Sequence, residues 1–348
     1  MSEFGNNNVH GNKLSEENMS DDLMLYIHTK KIPAIKSLIE ALKEIFRDVN
    51  IKFTPKIEKP SEHDPSIMKV TGGMYITALN SNGNILVRLH LEADKFCYYD
   101  CKPADDKPYV LVGVNMTNLF KIIKFLNNDE ELYILYDKRS MNQLNLQYVN
   151  KAKKLTTDYQ LNLLDLKEEN YKIEKQHFDF VITMPSNDFH TLIKNMSVIA
   201  EKVDIKFINT SNGYSLSFTC KGEFATQESV FNGKADGNSD DKMVNVSRNL
   251  GDQDKDKDKE KDEHQENDEN TVIQGVYLLS ALSLFSRCSS LCPTIDLYIK
   301  NDSPLVIKYR VADMGSVHLI LSPLNEDDGI NDEFGGSSDD DSESNGDN

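Results

Sequence analysis

Pro33-Ala34-Ile35-Lys36-Ser37-Leu38-Ile39-Glu40-Ala41-Leu42-Lys43-Glu44-Ile45-Phe46 puts apolar side chains at 35, 38, 39, 42, 45 and 46. That spacing is one helical stripe, and Lys36, Glu40 and Lys43 fall on the opposite side. Leu25-Tyr26-Ile27 precedes it and Val49-Asn50-Ile51-Lys52-Phe53 follows it, both strand-like. The same grammar returns half a chain later. Phe180-Val181-Ile182 leads through Asn187-Asp188-Phe189-His190-Thr191-Leu192-Ile193-Lys194-Asn195-Met196 to Val203-Asp204-Ile205-Lys206-Phe207. A constant offset of 154 pairs Leu38 with Leu192, Ile39 with Ile193, Ile45 with Ile199 and Ile51 with Ile205. Strand, helix and next strand stay in register, so the chain reads as two copies of one unit. The offset also sets Lys36 and Lys43 opposite His190 and Ser197. The two copies are therefore expected to differ in what their exposed helix faces do.

A finer echo runs inside each half. Val112-Gly113-Val114 opens a predicted helix at 115–126, and Gln274-Gly275-Val276 opens another at 278–288. Leu132-Tyr133-Ile134 follows the first, and Leu297-Tyr298-Ile299 the second. Alternating segments at 74–79 and 85–91 flank Asn82-Gly83, a hairpin signal. Further strands are expected at 96–101, 131–136, 144–149 and 158–165, then at 205–208, 214–220, 224–231, 295–299, 305–311 and 316–322. Strand-rich units that each carry one amphipathic helix give an α+β chain with helices on one face of antiparallel sheets.

The 348 residues carry a net charge of −18, which at first sight opposes contact with nucleic acid. The acid is concentrated, however. Residues 1–22 carry −4, residues 252–270 carry −6 and residues 326–348 carry −10, which leaves the remainder near +2. These segments are rich in Asn, Gly and Ser and poor in apolar residues, so the expected organisation has a disordered acidic extension at 1–22 and a unit at 23–166. A polar connector at 167–177, a second unit at 178–324 interrupted by a disordered insertion at 235–270, and an acidic tail at 325–348 complete it. Five cysteines and no leader-like apolar stretch suit reduced thiols in an intracellular protein, with no membrane span.

No phosphate-binding glycine motif, zinc-site spacing or nucleophile elbow occurs, so neither catalytic residues nor metal nor cofactor are expected. Basic residues on helices stand out instead: Lys36, Lys43, Lys121, Lys124, Lys194 and Arg287, with His190 beside Lys194. Each falls away from its helix's apolar stripe, and all four helices do this in a chain otherwise heavy with acid.

Leu305-Val306-Ile307-Lys308-Tyr309-Arg310-Val311-Ala312-Asp313-Met314-Gly315, ending Leu321-Ser322-Pro323, resembles the proliferating cell nuclear antigen family. Met184-Pro185-Ser186, Gly113-Val114-Asn115-Met116-Thr117 and Ile39-Glu40-Ala41-Leu42-Lys43 resemble it too, so the likeness spans roughly residues 24–323 without the insertion. The resemblance implies a homotrimeric ring with sheets outside and helices lining a hole around duplex DNA, contacted without sequence preference. It implies a non-enzymatic sliding clamp and processivity factor that tethers a DNA polymerase and other replication and repair proteins, and that a clamp loader places on DNA. The DNA-facing side chains would be Lys36, Lys43, Lys121, Lys124, His190, Lys194 and Arg287. Partners carrying the peptide Q-x-x-aliphatic-x-x-aromatic-aromatic would dock on Leu79, Leu86, Tyr171, Ile173, Pro304, Ile320, Leu321 and Pro323. Subunits would meet through Tyr159, Leu161, Leu163, Phe224 and Phe231. Thr191, Val198 and Ser280 stand at positions often basic in the family, which weakens the expected lining of the second half. The alternatives are a monomeric or dimeric processivity factor and a checkpoint-type subunit of a heterotrimeric clamp. Abundant Asn, no Trp and acidic inserts suit an AT-rich source such as a large DNA virus or a protist. The expected setting is a nucleus or a cytoplasmic viral replication compartment.

Overall fold

The repeat read from the sequence holds element by element, with the offset of 154 kept by the first helix of each copy and the strand that follows it. The computed structural model describes residues 22–60, 68–80, 82–104, 107–171, 177–234, 244–248 and 270–324. The first copy runs β1 (Leu23–Thr29), α1 (Ile32–Ile45), β2 (Asp48–Pro60), β3 (Met68–Leu79), β4 (Ile85–Glu92), β5 (Tyr98–Cys101), β6 (Val110–Asn115), α2 (Met116–Ile123), β7 (Glu131–Asp137), β8 (Gln143–Asn150) and β9 (Leu155–Asn162). The second repeats that order as β10 (Phe180–Pro185), α3 (Ser186–Ile199), β11 (Lys202–Thr210), β12 (Gly213–Lys221), β13 (Thr226–Lys234), β14 (Asn245–Arg248), β15 (Asn270–Leu278), α4 (Leu279–Ser286), β16 (Thr294–Ile299), β17 (Leu305–Val311) and β18 (Gly315–Leu321).

Each copy builds two antiparallel sheets. β5-β1-β7-β8-β9 corresponds to β14-β10-β16-β17-β18, and β4-β3-β2-β6 corresponds to β13-β12-β11-β15. One seam joins the copies. β18 pairs with β4, from Gly315 opposite Leu91 to Leu321 opposite Ile85, and fuses two of the four sheets into one of nine strands. Alternation places Ile85, Val87, Leu89 and Leu91 of β4 and Val317, Leu319 and Leu321 of β18 in one continuous core.

The helices bury the residues their periodicity nominated. α1 buries Ile35, Leu38, Ile39, Leu42 and Ile45, and α3 buries Phe189, Leu192, Ile193 and Met196. They form a single row: α2 packs on α1, α1 on the 3₁₀ turn Arg287–Leu291 that follows α4, and α4 on α3. At the two ends of the row, α2 touches β9 and α3 touches β13.

Several expectations are corrected. Within 235–270, read as disordered from its composition, β14 pairs with β10 from Asn245 opposite Thr183 to Arg248 opposite Phe180. Val244 and Val246 alternate there ahead of the charged run, and Val244 is buried. Phe224 lies in the turn before β13, not on the strand. β9 begins at Leu155 and stops at Asn162, after which Leu164 makes an isolated bridge to Gly113. The fourth helix ends at Ser286, and its expected last turn is 3₁₀, so Arg287 lies beyond the α-helix. Residues 1–21, the rest of the insertion, the tail 325–348 and Ile173 lie outside the described residues.

The family-like run around Asp313 is a hairpin that locks the seam. Ala312 has φ 47° and Gly315 φ 154°, and a Cβ on Gly315 would stand 2.0 Å from the carbonyl oxygen of His90. Asp313 bonds Lys31 at 2.7 Å, which ties this hairpin of the second copy to the start of α1 in the first. Gly315→Ala should therefore destabilise the whole chain by about 2 kcal/mol or more. A lowered denaturant midpoint, with both halves unfolding together, is the expected result.

Candidate nucleic-acid interface and docking face

The sequence nominates seven basic residues on the helix row, and the structure divides them. Lys36 donates from Nζ to the carbonyl of Leu126 at 2.9 Å, at the end of the α2 segment. Lys43 lies with Nζ 4.2 Å from the centre of the Phe120 ring on α2 and 3.0 Å from Glu44, its side chain 22% exposed. Arg287 pairs with Glu44, an ion pair that crosses from one copy to the other. Hydrogen bonding from Lys43, with help from Arg287, holds the Glu44 carboxyl below its usual range. His190 bonds through Nδ1 to the carbonyl of Ser286 at 3.0 Å, so Nδ1 carries the proton in that contact. Lys36 and His190 are equivalents at offset 154, and each satisfies a carbonyl at the end of the neighbouring helix. The expected contrast between them is thus a shared structural contact.

Three cations remain on the row with neither an ion pair nor a side-chain hydrogen bond among the described residues. Lys121 lies on α2 and Lys124 caps its C-terminus, 4.9 Å from the Phe125 ring, and Lys194 lies on α3. They sit at the two ends of the row, beside β9 and β13 respectively. The middle of the row is paired and nearly neutral. Val198, at a position often basic in the family, is 75% exposed one turn beyond Lys194.

The opposite face of the nine-stranded sheet carries the nominated docking residues. Strand register lines up Leu79, Leu86, Ile320, Val306 and Tyr298 across β3, β4, β18, β17 and β16. Leu79 is 37% exposed, Leu86 and Ile320 are half-buried, and Val306 is covered yet lies outside the core cluster. Pro304 and Pro323 are half-buried beside this strip. Leu321 is different: it pairs with Ile85 and is buried in the core, because a period of two turns it inward from Ile320.

A cavity of about 540 Å³ continues the strip over β2 and β3, roofed by residues 166–171. Leu79 and Tyr171 line it, as do Asn50, Lys52, Thr54, Tyr75 and Thr77, which the sequence reading did not nominate. Their alternation on β2 and β3 marks one outward face, but nothing in the sequence brings the connector over it. The connector is held there by side chains. Asn50 donates to the carbonyls of Lys167 at 3.1 Å and Leu166 at 3.4 Å. Glu168 accepts from the Tyr109 hydroxyl at 2.7 Å and pairs with Lys52 at 3.3 Å and Lys107 at 3.6 Å. That hydrogen bond and those two charges keep its carboxyl below its usual range.

Next to the apolar strip runs a polar one. Arg88, His318 and Lys308 are cross-strand neighbours on β4, β18 and β17. Burial first, then the charges of Lys308 and Arg88, depress the His318 imidazole to about 4. Above about pH 6.5 His318 is neutral whether folded or unfolded; below that the unfolded chain takes up a proton that the folded one resists until about pH 4. Stability should fall across that window, and His318→Gln should remove on the order of 2 kcal/mol of the loss. Chemical denaturation midpoints of the two proteins at neutral pH and near pH 4.5 measure it.

Two repeats with all four helices in one row behind continuous antiparallel sheets define a DNA-clamp fold. Residues 64–171 match the family described as Proliferating cell nuclear antigen, N-terminal domain, and residues 172–250 match its C-terminal domain. Together these matches cover more than half of the 348 residues, and the chain belongs to the proliferating cell nuclear antigen family. It is 29% identical over 334 residues to a probable DNA polymerase sliding clamp of Acanthamoeba polyphaga mimivirus, covering 90% of this chain and 64% of that one. It is 25% identical over 304 residues to probable DNA polymerase sliding clamp 1 of Paramecium bursaria Chlorella virus 1, covering 87% and 98%. The chain thus spans just under two thirds of the mimivirus relative's length and nearly all of the chlorella virus one. In fold it is similar to the crystal structure of proliferating cellular nuclear antigen from Entamoeba histolytica, with a TM-score of 0.66 and 19% identity over 87% of this chain and 100% of that one.

Proposed function

We propose that this chain is a DNA sliding clamp, a non-catalytic processivity factor whose three copies close around duplex DNA and tether a polymerase and other replication and repair proteins. The observation that carries the reading is a pair of unmatched strand edges. β9 and β13 each end a sheet, and they are the equivalents of β18 and β4, which pair with each other inside the chain. The same pairing between chains is head-to-tail, and such contacts close into a ring when the rotation permits. Tyr159 on β9, its ring tilted against Tyr148 at 5.0 Å between centroids, and Phe231 on β13 are half-buried at these edges, and Phe224 is exposed beside β13. Leu161 is buried in its own chain and Leu163 packs on the core, so they support the edge from behind. The units are 23–166 and 178–324, joined by the connector 167–177.

Inside the ring, Lys121, Lys124 and Lys194 supply the sequence-independent phosphate contacts, while topology keeps the protein on DNA. Partner peptides dock on the strip from Leu79 to Val306 and under the connector, and a clamp loader opens the ring. The protein acts where DNA is copied, in a nucleus or a viral replication compartment.

Light scattering should give about three times the 39.5 kDa of one chain. A clean monomer at micromolar concentration would overturn the ring and favour a factor held to DNA by its basic face alone. Tyr159→Ala should shift the distribution toward monomer, and an unchanged mass would move the interface elsewhere. Lys121→Glu with Lys124→Glu should weaken polymerase stimulation on primed circular DNA by about tenfold, with oligomeric state unchanged, as removal of two phosphate contacts implies.

A further inference from the structure

The apolar strip and the polar strip beside it ask for a ligand of particular chemistry. Leu79, Leu86, Ile320 and Val306 offer an outward apolar row across four strands. One row along the same strands, Arg88 and Lys308 flank His318 and have no ion-pair partner among the described residues. A segment with a few apolar anchors set among carboxylates matches both rows.

The chain carries such a segment and releases it at the rim. Described residues end at Leu324, three beyond Leu321 of β18. Residues 325–348 hold ten acids, no base and only two large apolar side chains, Ile330 and Phe334. Asp327, Asp328, Asp332 and Glu333 flank those two. Ile330 lies six residues past Leu324, a reach of up to about 20 Å, whereas four adjacent strands span about 15 Å.

The other copy shows what the connector's course would require of this segment. After β9, Leu164 donates its N–H to Gly113 at 2.8 Å; after β18, Leu324 donates to Val276 at the same distance, an equivalent departure. The connector is then held by the Asn50 amide on its carbonyls. At offset 154 Asn50 becomes Asp204, whose side chain has no N–H to donate and would stand against Glu326, Asp327 and Asp328 on a connector-like course. A carboxylate at 204 would oppose that course, with Lys206, the equivalent of Lys52, to offset it on β11; the outer strip offers two cations, Arg88 and Lys308.

We propose that residues 325–348 dock on the outer strip of their own chain, with Ile330 and Phe334 on the apolar row and the flanking carboxylates on Arg88 and Lys308. There the segment is a tethered competitor for partner peptides. This rests on the strip being the docking site proposed above. A tether gives an effective concentration in the millimolar range, so even a segment with an intrinsic Kd near 100 µM would weaken partner binding on the order of tenfold.

The test uses the full chain and a fluorescent peptide, Gln-x-x-Ile-x-x-Phe-Phe, with uncharged flanks, followed by anisotropy. Ile330→Ala with Phe334→Ala should bind the peptide about tenfold tighter than the unmodified protein, the gap narrowing as salt is added. Arg88→Gln with Lys308→Gln should give a comparable gain in the unmodified background and none in the Ile330→Ala, Phe334→Ala background. Equal affinity for the unmodified and Ile330→Ala, Phe334→Ala proteins overturns self-docking and leaves the strip as a partner site. Failure of the peptide to bind either protein overturns the strip itself and this proposal with it. A gain that disappears on dilution of the protein places the segment on another molecule and overturns the tethered form.

Discussion

The backbone ladder between β18 and β4 is the constraint on which the rest of the structure depends. It is seven residue pairs long, from Gly315 with Leu91 to Leu321 with Ile85. By fusing a sheet of each copy it fixes the angle between them, and therefore sets α1 against the turn that follows α4. The helix row, the outer apolar strip and the two unmatched edges all follow from that one pairing. The Lys31–Asp313 and Arg287–Glu44 ion pairs cross the same seam, but both involve exposed side chains, and pairs of that kind contribute little beside a buried ladder. The seam is a matter of register first and charge second.

Much of this was legible in the chain because duplication is written in periodic apolar residues. The offset from Ile51 to Ile205 and the stripes of α1 and α3 are core positions, and core positions keep their spacing. What the sequence hid were choices made between elements. Leu321 and Ile320 are chemically alike neighbours, and only the register of β18 decides which one faces out. The connector's place over β2 depends on Asn50, Lys52 and Glu168, residues 116 and more apart, whose meeting no local pattern announces. β14 was missed because composition was averaged over a long acidic stretch, and a four-residue strand vanishes in such an average.

The basic residues show the same limit from another side. Helical spacing correctly places Lys36, Lys43 and His190 away from the buried stripe of their own helix. It says nothing of the next helix. Lys36 and His190 both end on a carbonyl of that neighbour, one as an ammonium and one as an imidazole, so the two copies solve one problem with different chemistry. Lys43 is spread over an aromatic ring, where a cation keeps its charge while covering apolar surface. A count of lysines on helices thus overstates the charge free to meet a phosphate.

What charge is free sits at the ends of the row, Lys121 and Lys124 near β9 and Lys194 near β13. In the proposed ring those two edges meet, so each joint brings lysines of one protomer toward a lysine of the next. Like charges across a joint oppose closure when the hole holds only water and salt. A duplex threaded through the hole supplies the missing counter-charge, and the polyanion becomes a component of the joint rather than its cargo. The closed ring is then most stable when it is occupied.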